Sequence, residues 1–265
     1  MIFKPEDRKI CESLLQTARR RNGAAKSVNE LMIEAGKYFL GTPYASNVLE
    51  RDGPEELVIN LRQMDCFTLV ENVLALARLI KSGKSDFGDY ADALAAIRYR
   101  RGRLEGYSSR LHYFSDWIFD NQRKGIVQNI SRRLGGQPYL KKIDFMTRYA
   151  DRYPALQDRN IYRQMAAVER RMRRRVLYYI PKQSVRNMES RIADGDLIAV
   201  TAAEEGLDVT HVGLAVHAKK KLHLLHASSA ARKVVISKET LDRYLAGNKS
   251  RTGIMVARAV DFVKP

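Results

Sequence analysis

A cysteine that opens an apolar run and two histidines on neighbouring strand patterns are the residues of this 265-residue chain whose types and spacing suit chemistry. Cys66 follows Asp65, and the residues after it read as a helix, so its sulfur sits at the positive end of a helix dipole. That position is expected to lower the thiol pKa and favour the nucleophilic thiolate; the alternative is a small buried residue at a helix start. A thiolate nucleophile needs an imidazole to move its proton, and that imidazole needs a polar group to orient it. His211 begins the strand pattern Thr210-His211-Val212-Gly213-Leu214, and His226 ends the next one, in Leu224-Leu225-His226-Ala227. On adjacent antiparallel strands two such residues can face one side and touch, which gives a possible Cys66–His211–His226 relay. Gly213 would let a second backbone or a substrate come close. His217 and His223 flank Lys219-Lys220-Lys221 and read as solvated turn residues.

The elements that must position these groups follow from periodicity. Ile10, Leu14, Leu15 and Ala18, then Leu31, Ala35, Tyr38 and Phe39, recur at helical spacing and predict two helices within 6–40. Gly41-Thr42-Pro43-Tyr44 ends the second, and Leu57 to Leu61 form a short apolar piece. From Phe67 to Ile80 the chain is apolar almost all round, the pattern of a buried central helix. Residues 85–190 are polar, Arg- and Tyr-rich and helical in period. Beyond Asp194-Gly195-Asp196 the period becomes two, with strands expected at Leu197–Thr201, His211–His217, Leu222–His226, Lys233–Ile236 and Gly253–Val260. Helices first and strands afterwards argue for an α+β fold with one antiparallel sheet. The expected organisation is one domain over 1–265, with a mostly helical insertion at about 85–190.

A hydrophobic share of 45% and a charged share of 29% exclude a disordered or collagenous chain, and no run is long and apolar enough to span a membrane. The two cysteines, Cys11 and Cys66, allow at most one bridge. The charged stretch Lys4-Pro5-Glu6-Asp7-Arg8 is not a secretory signal. Neither H-E-x-x-H, C-x-x-C nor a glycine-rich phosphate loop occurs, so no metal and no cofactor is expected. The net charge of +17 favours an anionic partner, and Arg170 to Arg175 is the densest cluster. A nucleic-acid binder is the reading from another class; no recognised binding motif accompanies the charge, so no nucleic acid is expected.

Four ordered motifs then converge: Phe39-Leu40-Gly41-Thr42-Pro43-Tyr44, Asp65-Cys66-Phe67-Thr68-Leu69-Val70-Glu71, His211-Val212-Gly213-Leu214 and His226-Ala227-Ser228-Ser229. Together they resemble the NlpC-like superfamily of papain-fold cysteine peptidases and amidases that cut bacterial peptidoglycan. Phe67-Thr68 in place of the usual Ser-Gly, with Gly106-Tyr107-Ser108-Ser109-Arg110-Leu111-His112-Tyr113-Phe114-Ser115-Asp116-Trp117, resembles one branch over residues 30–260. That branch is the N-acetylmuramoyl-L-alanine amidase-like family, long a domain of unknown function. The resemblance implies a papain-like fold with Cys66 as nucleophile, His211 as general base and then acid, and His226 as the orienting member. It also implies Tyr44 beside the nucleophile as a holder of the oxyanion, the alternative being a ring packed under its turn.

The implied reaction is acyl transfer through a thioester, cutting the bond between the muramic acid lactyl group and L-alanine in small or anhydro-muropeptides. The nearest rival is the endopeptidase that cuts D-glutamate from diaminopimelate. Tyr107, Arg110, His112, Tyr113 and Trp117 form the expected substrate wall, with core packing as the alternative for the aromatic rings. Asp65 either caps its helix or contacts substrate. The family's partners are muropeptides and its setting the periplasm or cell envelope, although a cytoplasmic setting stays open; a monomer is favoured.

Overall fold

The computed structural model describes residues 1–261, and it begins with helix α1 (Pro5–Arg20), whose proline at the first helical position has no N–H to leave unpaired. Helix α2 (Val28–Tyr38) starts from a reciprocal cap, in which Ser27 Oγ accepts from Glu30 N and Ser27 N donates to Glu30 Oε2 at 2.8 Å. Helix α3 (Cys66–Ser82) is the central element: its apolar side chains are buried on every face, and it stops at Gly83, whose φ of +78° favours glycine. Helix α4 (Phe87–Arg98) lays Phe87, Tyr90, Leu94 and Ile97 into the same core.

The chain continues through α5 (Phe114–Arg123), the short strands β1 (Val127–Asn129) and β2 (Gln137–Pro138), α6 (Phe145–Arg148), α7 (Arg159–Met172), β3 (Tyr178–Pro181) and α8 (Val185–Met188). It ends in β4 (Leu197–Ala202), β5 (Val209–Ala218), β6 (Lys221–Ser228), β7 (Lys233–Ile236), α9 (Leu241–Ala246) and β8 (Arg251–Ala259). The sheet runs β2-β3-β8-β4-β5-β6-β7, with β1 also on β8, and every ladder is antiparallel. Alternation along each strand serves two cores. Leu197, Ala199, Val212, Leu214, Leu225 and Ala227 face the α2–α3 layer. Ile198, Val200, Ala215, Leu222 and Leu224 face α8 and α9, meeting Val185, Leu241 and Leu245. β5 and β6 join through Lys219 and Lys220, both at positive φ, the mirror-image turn that matches the twist of paired strands.

The expected strands are all present, but the sheet is wider than the sequence pattern suggests. β1, β2 and β3 lie within 85–190 and are two to four residues long, too short to show alternation. That segment is also not a polar appendage, since α4 and α5 pack against α3. Tyr38 was expected on the apolar face of α2 and is instead exposed, because the last turn has passed the edge of the core; Phe39 after it is buried.

Inside the core, Arg98 Nε donates to Glu71 Oε2 at 2.7 Å and Arg98 Nη1 donates to the Val58 carbonyl, with both side chains almost fully buried. This pair ties α3, α4 and the 57–61 segment together. Removing one partner strands the other charge in a low-dielectric interior, so Arg98→Met is expected to cost about 3–5 kcal/mol in urea unfolding, and the added change Glu71→Leu to restore most of it. A loss below about 1 kcal/mol would mean that the pair is solvated.

Candidate functional site

The start of α3 is built by its own residues. Asp65 Oδ1 accepts from Thr68 N at 2.7 Å and from Thr68 Oγ1 at 2.8 Å, and Asp65 N donates to Thr68 Oγ1 at 3.0 Å. Of the two roles open to Asp65, the cap is therefore occupied. Cys66 is the first helical residue, half-buried, and the backbone N–H groups of Val212 in β5, of Cys66 itself and of Phe67 favour its thiolate. Cys11 lies fully buried in α1, and both cysteines are free.

Tyr44 is brought to this point by backbone. Gly41 N donates to Val234 O, Val234 N to Thr42 O and Tyr44 N to Arg232 O, which lays 41–44 along β7. Met64 N donates to Pro43 O and Ala45 N to Met64 O, which ties the same loop to the residue two before the cysteine. Gly41 turns the chain at φ +88°, a conformation costly to a side-chain-bearing residue. Tyr44 keeps its phenol proton beyond the ordinary range because of burial, and then because Cys66 and Asp65 lie close.

His211 and His226 meet across β5 and β6, with Nε2 of His211 2.6 Å from Nδ1 of His226 and the rings nearly perpendicular at 88°. Gly213 makes this approach possible. A Cβ there would lie 2.7 Å from the Leu225 carbonyl oxygen and 3.0 Å from His226 Cβ, so the close backbone anticipated at this glycine is that of β6. Burial drives both imidazoles toward the neutral form. His211 is pulled down to about 3, with His226 and Arg251 adding to burial. His226 is pulled down to about 4, with Arg251 again adding and Glu239 opposing.

The thiol departs from the sequence expectation. The helix-start N–H groups do favour the thiolate, but burial and the Asp65 carboxylate outweigh them and push Cys66 up to about 12. The resting site is a neutral thiol beside two neutral imidazoles.

Sequence reasoning missed Tyr244 and Arg251. Tyr244 on α9 sets its ring 6.2 Å from that of His211 and 5.6 Å from that of His226, and the Arg251 guanidinium lies 3.7 Å above the same ring. Leu241 and Leu245, four residues apart, are a sequence signal for a helix here, but nothing in the sequence places Tyr244 over the histidines.

The expected substrate wall divides. Trp117 has no exposed surface and stacks on Phe114 at 4.9 Å, and Phe114 in turn meets Phe67 edge-on, so Trp117 offers no face to a ligand. Tyr113 is buried as well, donating to Glu169 Oε1 at 2.7 Å and accepting from Met146 N at 2.8 Å; it joins α5 to α6 and α7. Aromatic spacing in this segment is core spacing. Arg110, Tyr107 and His112 do cluster: the guanidinium sits 5.0 Å over the Tyr107 ring, and His112 Nε2 donates to Tyr107 O at 2.8 Å. Arg110 and Tyr107 line a cleft of about 470 Å³ with Glu50, Glu55 and Pro154. The guanidinium there donates to Leu49 O at 3.1 Å and to Glu50 Oε1 at 2.6 Å, while its buried Nε has no hydrogen-bond partner and lies 3.5 Å from Glu55 Oε1. His217 and His223 are not simply solvated either, since they donate to Asp194 Oδ1 and to Ser237 O. Among the described residues, no group of three or more His, Cys, Asp or Glu side chains is arranged to hold a metal, and no helix is long and apolar enough to cross a membrane.

A family model described as AmiA-like, N-acetylmuramoyl-L-alanine amidase-like, matches residues 34–254. An N-acetylmuramoyl-L-alanine amidase from Bacteroides uniformis superposes with a TM-score of 0.83 at 39% identity, covering 88% of this chain and 99% of its own. A protein described as a putative xylanase from Bacteroides fragilis gives 0.79 at 38% identity, covering 85% and 99%. A Legionella pneumophila protein at 20% identity shares the fold, at 0.71 over 96% and 95%. No curated protein matches significantly.

The neutral histidines carry a consequence for stability. His112, buried against Tyr107 and next to Arg110, is held well below its ordinary 6.5, as are His211 and His226. An unfolded chain binds these protons below about pH 6.5 and the folded chain does not, so stability is lost as pH falls from there. Each site contributes a slope of up to about 1.4 kcal/mol per pH unit. The melting temperature is expected to drop between pH 7 and about pH 5, less steeply in His226→Gln; a flat profile would contradict this.

Proposed function

The chain belongs to the N-acetylmuramoyl-L-alanine amidase-like family, and from that premise we propose that it is a cysteine-dependent peptidoglycan amidase. Its bond is the one between the lactyl carbonyl of muramic acid and L-alanine, in small or anhydro-muropeptides, and its fold is the papain-like arrangement of the NlpC type. The observation that carries this reading is the 2.6 Å His211–His226 bond on β5 and β6, one residue from Val212, whose N–H favours the Cys66 thiolate.

His226 holds Nε2 of His211, which leaves Nδ1 for the thiol. As sulfur attacks the lactyl carbonyl carbon, Nδ1 takes the thiol proton, and the carbonyl oxygen becomes an oxyanion. The N–H groups at the start of α3 and the Tyr44 hydroxyl, kept protonated by its surroundings, donate to that oxygen. The imidazolium then protonates the alanine nitrogen, the C–N bond breaks and the peptide leaves with a free amino terminus. Water, deprotonated by His211, attacks the thioester; the acid departs and the thiol regains its proton. Because the thiol rests neutral, proton transfer accompanies attack instead of preceding it. This chemistry uses no metal and no cofactor, and its setting is the periplasm or cell envelope, where muropeptides occur.

Two other reactions compete. The endopeptidase cut between D-glutamate and diaminopimelate uses the same three side chains and differs only in the product. Glycoside hydrolysis needs a pair of carboxylates about 5–9.5 Å apart flanking the sugar bond, and the cleft carboxylates Glu50 and Glu55 both face Arg110. Incubation of defined disaccharide tri- and tetrapeptides with the protein, read by mass spectrometry, is expected to release the intact peptide from the disaccharide. Cys66→Ala is expected to lose about 10⁴-fold or more of that rate. Cleavage after D-glutamate, or product formation unchanged in Cys66→Ala, would overturn the reading.

A further inference from the structure

The arginine cluster singled out by the sequence is only in part a solvated helix face: Arg170, Arg171, Arg173 and Arg174 are exposed, and Arg175 is half-buried. Arg173 reaches Asp144 at 3.2 Å, and Arg175 turns inward to Asp116 with its guanidinium 3.7 Å over Phe119. Arg171 projects into a cleft of about 360 Å³ between α7, α5 and the 100–109 segment, lined also by Arg100, Arg101, Arg123, Arg175, Ser108 and Gln164. Five guanidiniums from three separate stretches of chain thus converge on one concave surface that contains none of Cys66, His211 and His226.

The acids present do not balance them. Asp116 is shared by Arg100 and Arg175, and Asp120 is held by Lys124 at 2.8 Å and by the Arg101 N–H at 3.0 Å. Glu105 is the remaining acid of the lining. Among the described ion pairs none involves Arg101, Arg123 or Arg171. Arg101 is moreover held at φ +56°, a conformation unfavourable for any residue with a side chain, and the Asp120 bond fixes it there at the cleft. Partial burial, and after it the charges of Arg100, Arg175 and Arg101, make the Arg171 charge harder to keep, with Asp116 opposing them. Anchors of this kind, with Phe119 under Arg175 and Asp116 bridging two forks, hold like charges together at a cost that an anion would offset.

We propose that this cleft binds a compact, multiply charged phosphate-class anion, with the forks of Arg101, Arg123 and Arg171 on its oxygens and Ser108 and Gln164 at its edge. Guanidinium forks match phosphate oxygens two at a time, and a concave site about 360 Å³ in volume suits a diphosphate better than an extended duplex. The same chemistry is supplied by a soluble diphosphate or by phosphodiester headgroups of an anionic membrane.

Titration calorimetry with sodium pyrophosphate at fixed ionic strength tests this on the full chain. Saturable one-site binding is expected, weakened about tenfold or more in the surface variant Arg123→Ser/Arg171→Ser, which retains the wild-type turnover of muropeptide. Co-sedimentation with phosphatidylglycerol vesicles, lost in the same variant, would make the headgroup the source; pyrophosphate binding without co-sedimentation would make it the soluble anion. Equal pyrophosphate affinity in the variant and the wild type, or a heat signal reproduced by sodium chloride, would overturn the proposal whatever the amidase assay shows.

Discussion

A helix that is apolar on every face can exist in water only if something covers every face. α3 meets that demand with α1, α2 and α4 on its helical sides and β5 and β6 on its sheet side. The one part of such a helix that can reach a surface is an end, and here the N-terminal end carries Cys66. The cap made by Asp65 and Thr68 fixes where the helix begins, and the Val212 N–H, one residue along β5 from His211, favours the thiolate there. Much of the remaining architecture can be read as what is needed to bury α3 and leave that end open: the loop at Tyr44 stitched to Met64, and the glycine that lets β6 close up behind β5.

Burial also decides the electrostatics. A helix N-terminus stabilises an anion by roughly 0.3–1 kcal/mol at an exposed site, whereas taking a charged sulfur out of water costs several pKa units at about 1.4 kcal/mol each. At Cys66 the second effect wins, and at His211 and His226 the same effect keeps the rings uncharged. Three neutral groups can sit together without repulsion, and a short bond between one donor and one acceptor nitrogen sets the ring orientation. In the proposed mechanism, charge develops only when a substrate supplies a carbonyl and the thiol proton moves. Arg251, layered over Tyr244 beside the histidines, reinforces this by making an added positive charge on either ring unfavourable.

The elements with strong periodicity were legible in the sequence. The all-round apolar run after Cys66 marks α3, and short apolar, β-branched runs bounded by turn residues mark β4 to β8, whose two faces each meet a core. β1 to β3 were not legible, since two to four residues cannot display a period. Cys66, His211 and His226 could be singled out because residue type and chain position agree. The aromatic segment misled: Tyr113 and Trp117 carry the composition of a sugar-binding surface, but what places them is tertiary, through Glu169 and Phe114. Tyr244 and Arg251 are ordinary residues by type, and only the fold brings them over the histidines.

The central claim is that Cys66, passing its proton to His211 as it attacks, becomes covalently acylated by the lactyl carbonyl. Rapid acid quench of the protein with a disaccharide tripeptide, followed by mass spectrometry of the Cys66 peptide, tests it most directly. The account predicts a thioester adduct with the mass of the muramyl disaccharide acyl group, on Cys66 alone. A peptide acyl group on Cys66, or turnover with no adduct there in wild type and undiminished product in Cys66→Ala, would contradict it.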